Sequence, residues 1–284
     1  MKASVFLFLL CTSTVTLAQP KPPKPNTAQS KIIQAQKKLF DAIKYNNLAA
    51  FETAISTKDI DLNATQSEFP LHTPLLEAID KNRPEMTKLL LAQPSVDVNR
   101  PSGTKYTFPL HGAGISSPKL VAMLLAHPKI DPNLKPASDS YPALFTVLSY
   151  CDLSMVKLFL NHPKTDLTIT DAEGQTAIFP AVQTNRWDLI PTLLATNKFD
   201  VNLKNTRGNT ILHEVIRSNN PERIRSAALL PNIDPHLPNA KGETPLTLAI
   251  QKSLSAVNAL LENKATQITP ANQAAIDLLN KPLP

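Results

Sequence analysis

The chain repeats itself about every 34 residues, and a beat of that length restricts it to a stack of similar supersecondary units rather than a single wrapped core. Two landmarks keep the beat. The first is an aspartate behind a short apolar stretch, at Asp61, Asp97, Asp131, Asp166, Asp200 and Asp234, with successive spacings of 36, 34, 35, 34 and 34. The second is Thr73-Pro74-Leu75, then Phe108-Pro109-Leu110-His111, Tyr141-Pro142-Ala143-Leu144, Thr176-Ala177-Ile178, Thr210-Ile211-Leu212-His213 and Thr244-Pro245-Leu246. Two landmarks in phase define a repeat.

Each unit decodes into a pair of helices. Threonine caps a helix N-terminus and proline is favoured at the first helical position, so Thr73-Pro74 and Thr244-Pro245 open helices. Five residues after the opening position stand Ala78, Ala113, Ala181 and Ala249, small enough to let neighbouring helices approach. Asn82, Asn185 and Asn219 follow where the chain must turn, and asparagine tolerates the left-handed backbone. The second helices carry leucines on one face, as in Met86-Thr87-Lys88-Leu89-Leu90-Leu91, Val121-Ala122-Met123-Leu124-Leu125 and Val156-Lys157-Leu158-Phe159-Leu160. They stop before Pro94, Pro128 and Pro163, because proline cannot continue the hydrogen-bond ladder. Gly174, Gly208 and Gly242 recur 34 residues apart and mark tight turns at loop tips.

At these residues the chain resembles the ankyrin family, whose hallmark is Thr-Pro-Leu-His-x-Ala on a period near 33. The resemblance covers most of residues 38–264 and is strongest in the last three units, which keep both the loop glycine and the opening threonine. It implies an all-α solenoid of stacked helix-turn-helix units with projecting loops. Phe108 and Tyr141 depart from the pattern, and no glycine opens the Tyr141 unit. Residues 31–66 lack a Thr-Pro opening and read as an N-terminal capping repeat, 67–268 as about six repeats, and 269–284 as a closing helix and tail. Terminal units are atypical because one face meets water.

Ahead of the repeats, residues 1–18 have the layout of a secretory signal peptide: Lys2, the apolar run Val5–Leu10, then small and polar residues to Ala18. Cleavage after Ala18 is expected. Residues 19–30, with Pro20, Pro22, Pro23 and Pro25, read as an extended Pro/Lys-rich linker. The product is expected to be exported, to the periplasm or beyond it, with no stable membrane insertion. Cys151 is then the only cysteine left, so no internal disulfide holds the fold. The formal charge of +6 resides in Lys2, Lys21, Lys24, Lys31, Lys37 and Lys38; the remainder carries 23 basic and 23 acidic residues. A body without a basic face argues against nucleic acid as a partner.

Residues that could carry chemistry do not converge. No histidines pair at i, i+4 as a metal-binding helix requires, and no nucleophile elbow or Gly-rich phosphate loop exists. By phase, His127 and His162 are loop contacts, and His111 and His213 sit where the family hydrogen-bonds loop to helix. No catalytic residue, metal or cofactor is expected. Trp187 opens a second helix and is expected to tuck between repeats.

The resemblance implies a monomer that binds a partner protein along a concave face of loop tips and first helices. The candidate contacts by phase are Lys105, Tyr106, Asp139, Ser140, Glu173, Gln175, Arg207, Asn209, Lys241 and Glu243 on loop tips, with Glu77 and Lys81 on a first helix. Such an array presents an extended surface rather than a pocket. An exported scaffold, inhibitor or immunity-type role is the leading expectation; a secreted effector acting on a host, or a thiol enzyme using Cys151, are the alternatives.

Overall fold

The computed structural model describes residues 27–66, 71–103, 107–114, 117–135 and 141–279. The leader and residues 19–26 of the linker lie outside them. Helix α1 (Thr27–Lys44) pairs with α2 (Leu48–Ile55), and six further pairs follow: α3 (Pro74–Asp80) with α4 (Pro84–Leu91), α5 (Pro109–Gly114) with α6 (Pro118–Leu125), α7 (Ala143–Tyr150) with α8 (Leu153–Leu160), α9 (Ile178–Gln183) with α10 (Ile190–Leu194), α11 (Ile211–Arg217) with α12 (Pro221–Ala228), and α13 (Pro245–Lys252) with α14 (Leu254–Leu261). Helix α15 (Pro270–Leu279) packs on α13 and α14. First helices stack on first helices from α1 to α15, and behind them second helices pack on one another from α2 to α8 and again between α12 and α14. Among the described residues there is no β-strand, only two isolated bridges, Ser102 with Thr107 and Thr170 with Thr176.

One apolar interior runs the length of the stack, from Leu39 to Ile276. Ala78, Ala113, Ala181 and Ala249 are fully buried, at the positions where first helices meet. Asn82, Asn185 and Asn219 take positive φ of 50°, 65° and 51°. Cys151, at the equivalent turn, does not. Its φ is −104°, and Asp152 immediately caps α8 by accepting a hydrogen bond from Met155 N at 3.0 Å, so that turn needs no left-handed residue. Helix α1 begins at Thr27 rather than beyond Ser30, because the last proline before it is Pro25 and nothing after that residue opposes helix. Trp187 opens a 3-10 turn, Trp187–Leu189, ahead of α10; its ring is half-buried against the core and Nε1 donates to Asn185 Oδ1 at 2.9 Å.

The aspartate landmark has a structural cause. In each loop behind a second helix the aspartate carboxylate accepts the N–H two residues on, as Asp97 does from Asn99 at 3.0 Å and Asp131 from Asn133 at 2.9 Å. The residue so held then reaches the next repeat. Asn63 donates to Ser95 O (2.7 Å) and accepts from Asp97 N (2.7 Å); Asn99 does the same with Lys129 O and Asp131 N, Asn133 with Lys164 O and Asp166 N, and Asn202 with Asn232 O and Asp234 N. Thr168 interrupts this ladder. Its hydroxyl turns back to Asp166 Oδ1 at 2.7 Å, and it has no carboxamide to span to the loop at Asp200.

The hallmark histidines tie loop to helix as expected. His213 Nε2 donates to Glu243 O at 2.9 Å, while Nδ1 receives Thr210 N at 3.2 Å and lies 2.9 Å from the Thr210 hydroxyl. His111 Nε2 likewise donates to Tyr141 O at 2.8 Å. With Phe108 where the threonine would stand, however, His111 Nδ1 is buried without a partner among the described residues. Burial holds both imidazoles below the ordinary histidine pKa, so both are neutral donors at neutral pH.

Two predictions follow from these contacts. Asn133→Ala removes two interrepeat hydrogen bonds and should cost about 1–3 kcal/mol in chemical denaturation, whereas Thr168→Asn should complete the ladder and raise the melting temperature. A histidine whose pKa is depressed on folding contributes stability that is full above its unfolded value and is lost as pH falls through that value. The urea midpoint should therefore decline between pH 7.5 and 5, and His213→Gln should flatten that decline, with His111→Gln adding to the effect.

Candidate partner-binding face

The last three loops are built alike. Asp171 Oδ1 accepts from Glu173 N and Gln175 N, Asn205 Oδ1 from Arg207 N and Asn209 N, and Asn239 Oδ1 from Lys241 N and Glu243 N, all within 2.8–3.0 Å. A side-chain oxygen that closes its own turn in this way is an Asx turn. The loops also stack: Thr206 N donates to Glu173 O at 2.9 Å, and Ala240 N to Arg207 O at 3.3 Å. That contact is why Gly208 is glycine. At φ +72° a Cβ would stand 2.5 Å from Ala240 N, whereas one at Gly242, on the last loop, would meet nothing within 4 Å.

This construction sorts the sequence candidates. Glu173, Arg207 and Lys241 are exposed at the tips, and Arg207 Nη2 bridges to Glu173 Oε2 at 2.9 Å. Lys81 is exposed on α3. Glu243 is partly exposed, and the amide of Asn239, donating at 2.9 Å, holds its carboxyl below the usual carboxylate range. Three candidates are corrected. Gln175 and Asn209 are only 4% and 3% exposed, because the position after the loop glycine points inward: Gln175 Oε1 accepts from Gln183 and Asn209 Nδ2 donates to Glu214. Glu77 is 5% exposed, with Oε2 accepting from Gln66 Nε2 at 3.0 Å and facing His72 Nδ1 at 2.9 Å. Lys105, Tyr106, Asp139 and Ser140 lie outside the described residues.

Sequence reasoning missed Glu214. It holds the same phase as Glu77, four residues after the opening threonine, and that equivalence was available to find it. Its Oε1 accepts from Asn205 Nδ2 at 2.9 Å, Asn209 Nδ2 at 2.8 Å and Arg207 Nη2 at 3.4 Å. Glu214 thereby joins three loop residues and a first helix into one network on the face.

Other groups carry less chemistry. His72, Glu77 and Asp80 place ligand atoms within 4.8 Å of one another, but the Lys81 ammonium sits 2.9 Å from Asp80 and 3.9 Å from Glu77 and supplies the positive charge there. The Asp80 hydrogen bond raises the Lys81 pKa, which keeps that cation charged. Cys151 Sγ is half-buried and donates to Gly114 O at 3.0 Å; burial, with Asp152 adjacent, pushes its pKa up. A thiol so placed is a poor nucleophile. The surface is not pocketless as expected. An open hollow of about 610 Å³ lies between α1 and α2, bordered by Lys38, Tyr45 and Thr57, on the side of this pair that no other described helix covers. No helix among the described residues is long and apolar enough to cross a membrane.

Comparison with known proteins agrees with this architecture. A family model for ankyrin repeats matches three copies over residues 181–272. No curated protein sequence matches the chain. Among solved structures, the ankyrin repeat domain of Bcl-3, described as a unique member of the IkappaB protein family, is similar with a TM-score of 0.66 at 22% identity, covering 79% of this chain and 97% of that one. The ankyrin repeat domain of human ASB11 gives 0.61 at 22% identity, covering 81% and 98%, and the ankyrin repeat protein EF0377 gives 0.58 at 20%, covering 66% and 96%. In its helix pairs, its stacked loops and the three repeats of its C-terminal third, the chain has the fold of an ankyrin-repeat solenoid.

Proposed function

We propose that this chain is an exported interaction scaffold that grips one partner protein across its loop tips and first helices. The observation that carries the reading is the run of stacked Asx loops, which holds Glu173, Arg207 and Lys241 outward at a regular interval on a rigid frame. Loop backbones fixed before binding lose little conformational freedom on association, and that is what a specific surface requires. Their mixed signs suit a polar partner surface rather than a polyanion, and the balanced charge of the repeat body agrees. Export rests on the leader pattern of residues 1–18, and the periplasm is the compartment we favour. An inhibitor or immunity-type role fits a scaffold in which no nucleophile is assembled among the described residues.

Two outcomes are expected. Expressed from its own leader in a Gram-negative host, the protein should be recovered in the periplasmic fraction with Gln19 as its first residue by N-terminal sequencing; a cytoplasmic product retaining Met1 would refute export. Cross-linking of the full chain at its native site should capture the same protein reproducibly. The double charge reversal Arg207→Glu/Lys241→Glu should lower that capture about tenfold, the scale of losing one or two interface hot spots, and equal capture by both forms would refute the face.

A further inference from the structure

A small hollow opens on the first-helix face between α9 and α11. Phe179 and Val182 from one helix and Ile211 and Val215 from the other line a cavity of about 160 Å³. An apolar cavity of about 150 Å³ accommodates benzene, so this one has room for a single phenyl-sized group. Its rim carries Gln183, Ser218, Arg223, whose Nη1 donates to Gln183 O at 3.4 Å, and Glu214, whose side chain is 12% exposed. All three donors to that carboxylate, from Asn205, Asn209 and Arg207, converge on Oε1; Oε2 receives no hydrogen bond from any described residue. A carboxylate fixed in this way keeps one oxygen without a protein donor, on a residue that lines the hollow. A partly buried acceptor gains most from a donor that arrives together with the group that displaces water.

We propose that the α9–α11 cavity anchors one phenyl-sized apolar side chain of the partner protein, with an N–H donor next to that side chain completing Glu214 Oε2. The proposal rests on the interaction reading above and adds the chemistry of the residue that is recognised. Buried anchors of this kind, surrounded by polar contacts that exclude water, dominate interface energetics. The nearby tip residues Glu173 and Arg207 form that surround.

The test uses the full chain with labelled valine and isoleucine methyls, titrated with 2-phenylethylammonium and with phenylacetate, which carry the same ring beside opposite charges. Saturable shifts of the Val182, Ile211 and Val215 methyl signals are expected with the ammonium, whose N–H can donate to Glu214 Oε2, and binding about tenfold weaker with the carboxylate, which has no N–H to donate. Glu214→Gln should remove that preference. Val215→Phe fills the cavity and should abolish the shifts; Ser218→Trp, at an exposed rim position, should do the same without altering the core. Methyl signals that stay put at millimolar ammonium, or shifts that survive in both filled variants, would overturn the anchor. Cross-linking separates the two readings: a partner captured equally by wild type and both filled variants overturns the anchor alone. If 2-phenylethylammonium binds but no variant captures a protein, the cavity chemistry is supported and the scaffold reading fails.

Discussion

No helix pair in this array can persist alone. The repeat helices run five to eight residues, well below the roughly 12–15 residues at which an isolated helix becomes even marginal in water. Each therefore exists because its neighbours bury its apolar face, and the coupling is nearest-neighbour in kind. The fully buried alanines set how closely first helices approach, and the carboxamide ladder through Asn63, Asn99, Asn133 and Asn202 sets the spacing of the loops behind them. Burial supplies the drive and the ladder supplies the register.

The same coupling decides which polar residues remain available to another molecule. A loop that stacks on its neighbour must satisfy its own turn first, and Asp171, Asn205 and Asn239 spend their side chains doing so. Gln175 and Asn209 are drawn inward by the same requirement, toward Gln183 and Glu214. What is left outward is close to one long side chain per loop. A face built in this way is sparse in contacts and strict in their placement.

Most of the fold was legible because its determinants are local and periodic. The threonine-proline openings, the turn asparagines and the loop glycines each act within four or five residues of themselves, so spacing alone places them. What spacing does not carry is direction. Gln175 and Asn209 have the composition of loop-tip residues, yet their side chains are claimed by Gln183 and Glu214, which lie a turn or two further along the chain. Glu77 reads as a surface carboxylate on a helix, and only the approach of Gln66 and His72 from the preceding loop buries it. The α9–α11 cavity was illegible for a related reason: its four apolar residues look like ordinary core, and whether adjacent rows of core side chains meet depends on packing between units.

The interruption at Thr168 has a mechanical consequence. Between the α7–α8 and α9–α10 pairs the stack loses its loop-side carboxamide rung, and the pair beyond is the shortest, with Pro180 and Pro191 inside its helices. The opposite, turn-side edge of the same joint is still stitched, by the Arg186 guanidinium donating to Cys151 O at 2.6 Å. On the loop side the Asx loops take over, with Thr206 N and Oγ1 both donating to Glu173 O and Arg207 bridging to Glu173 Oε2 at 2.9 Å. Traction across this joint would therefore pass through the loop tips and the Cys151 edge, a different route from the carboxamide rungs that carry it at the joints on either side.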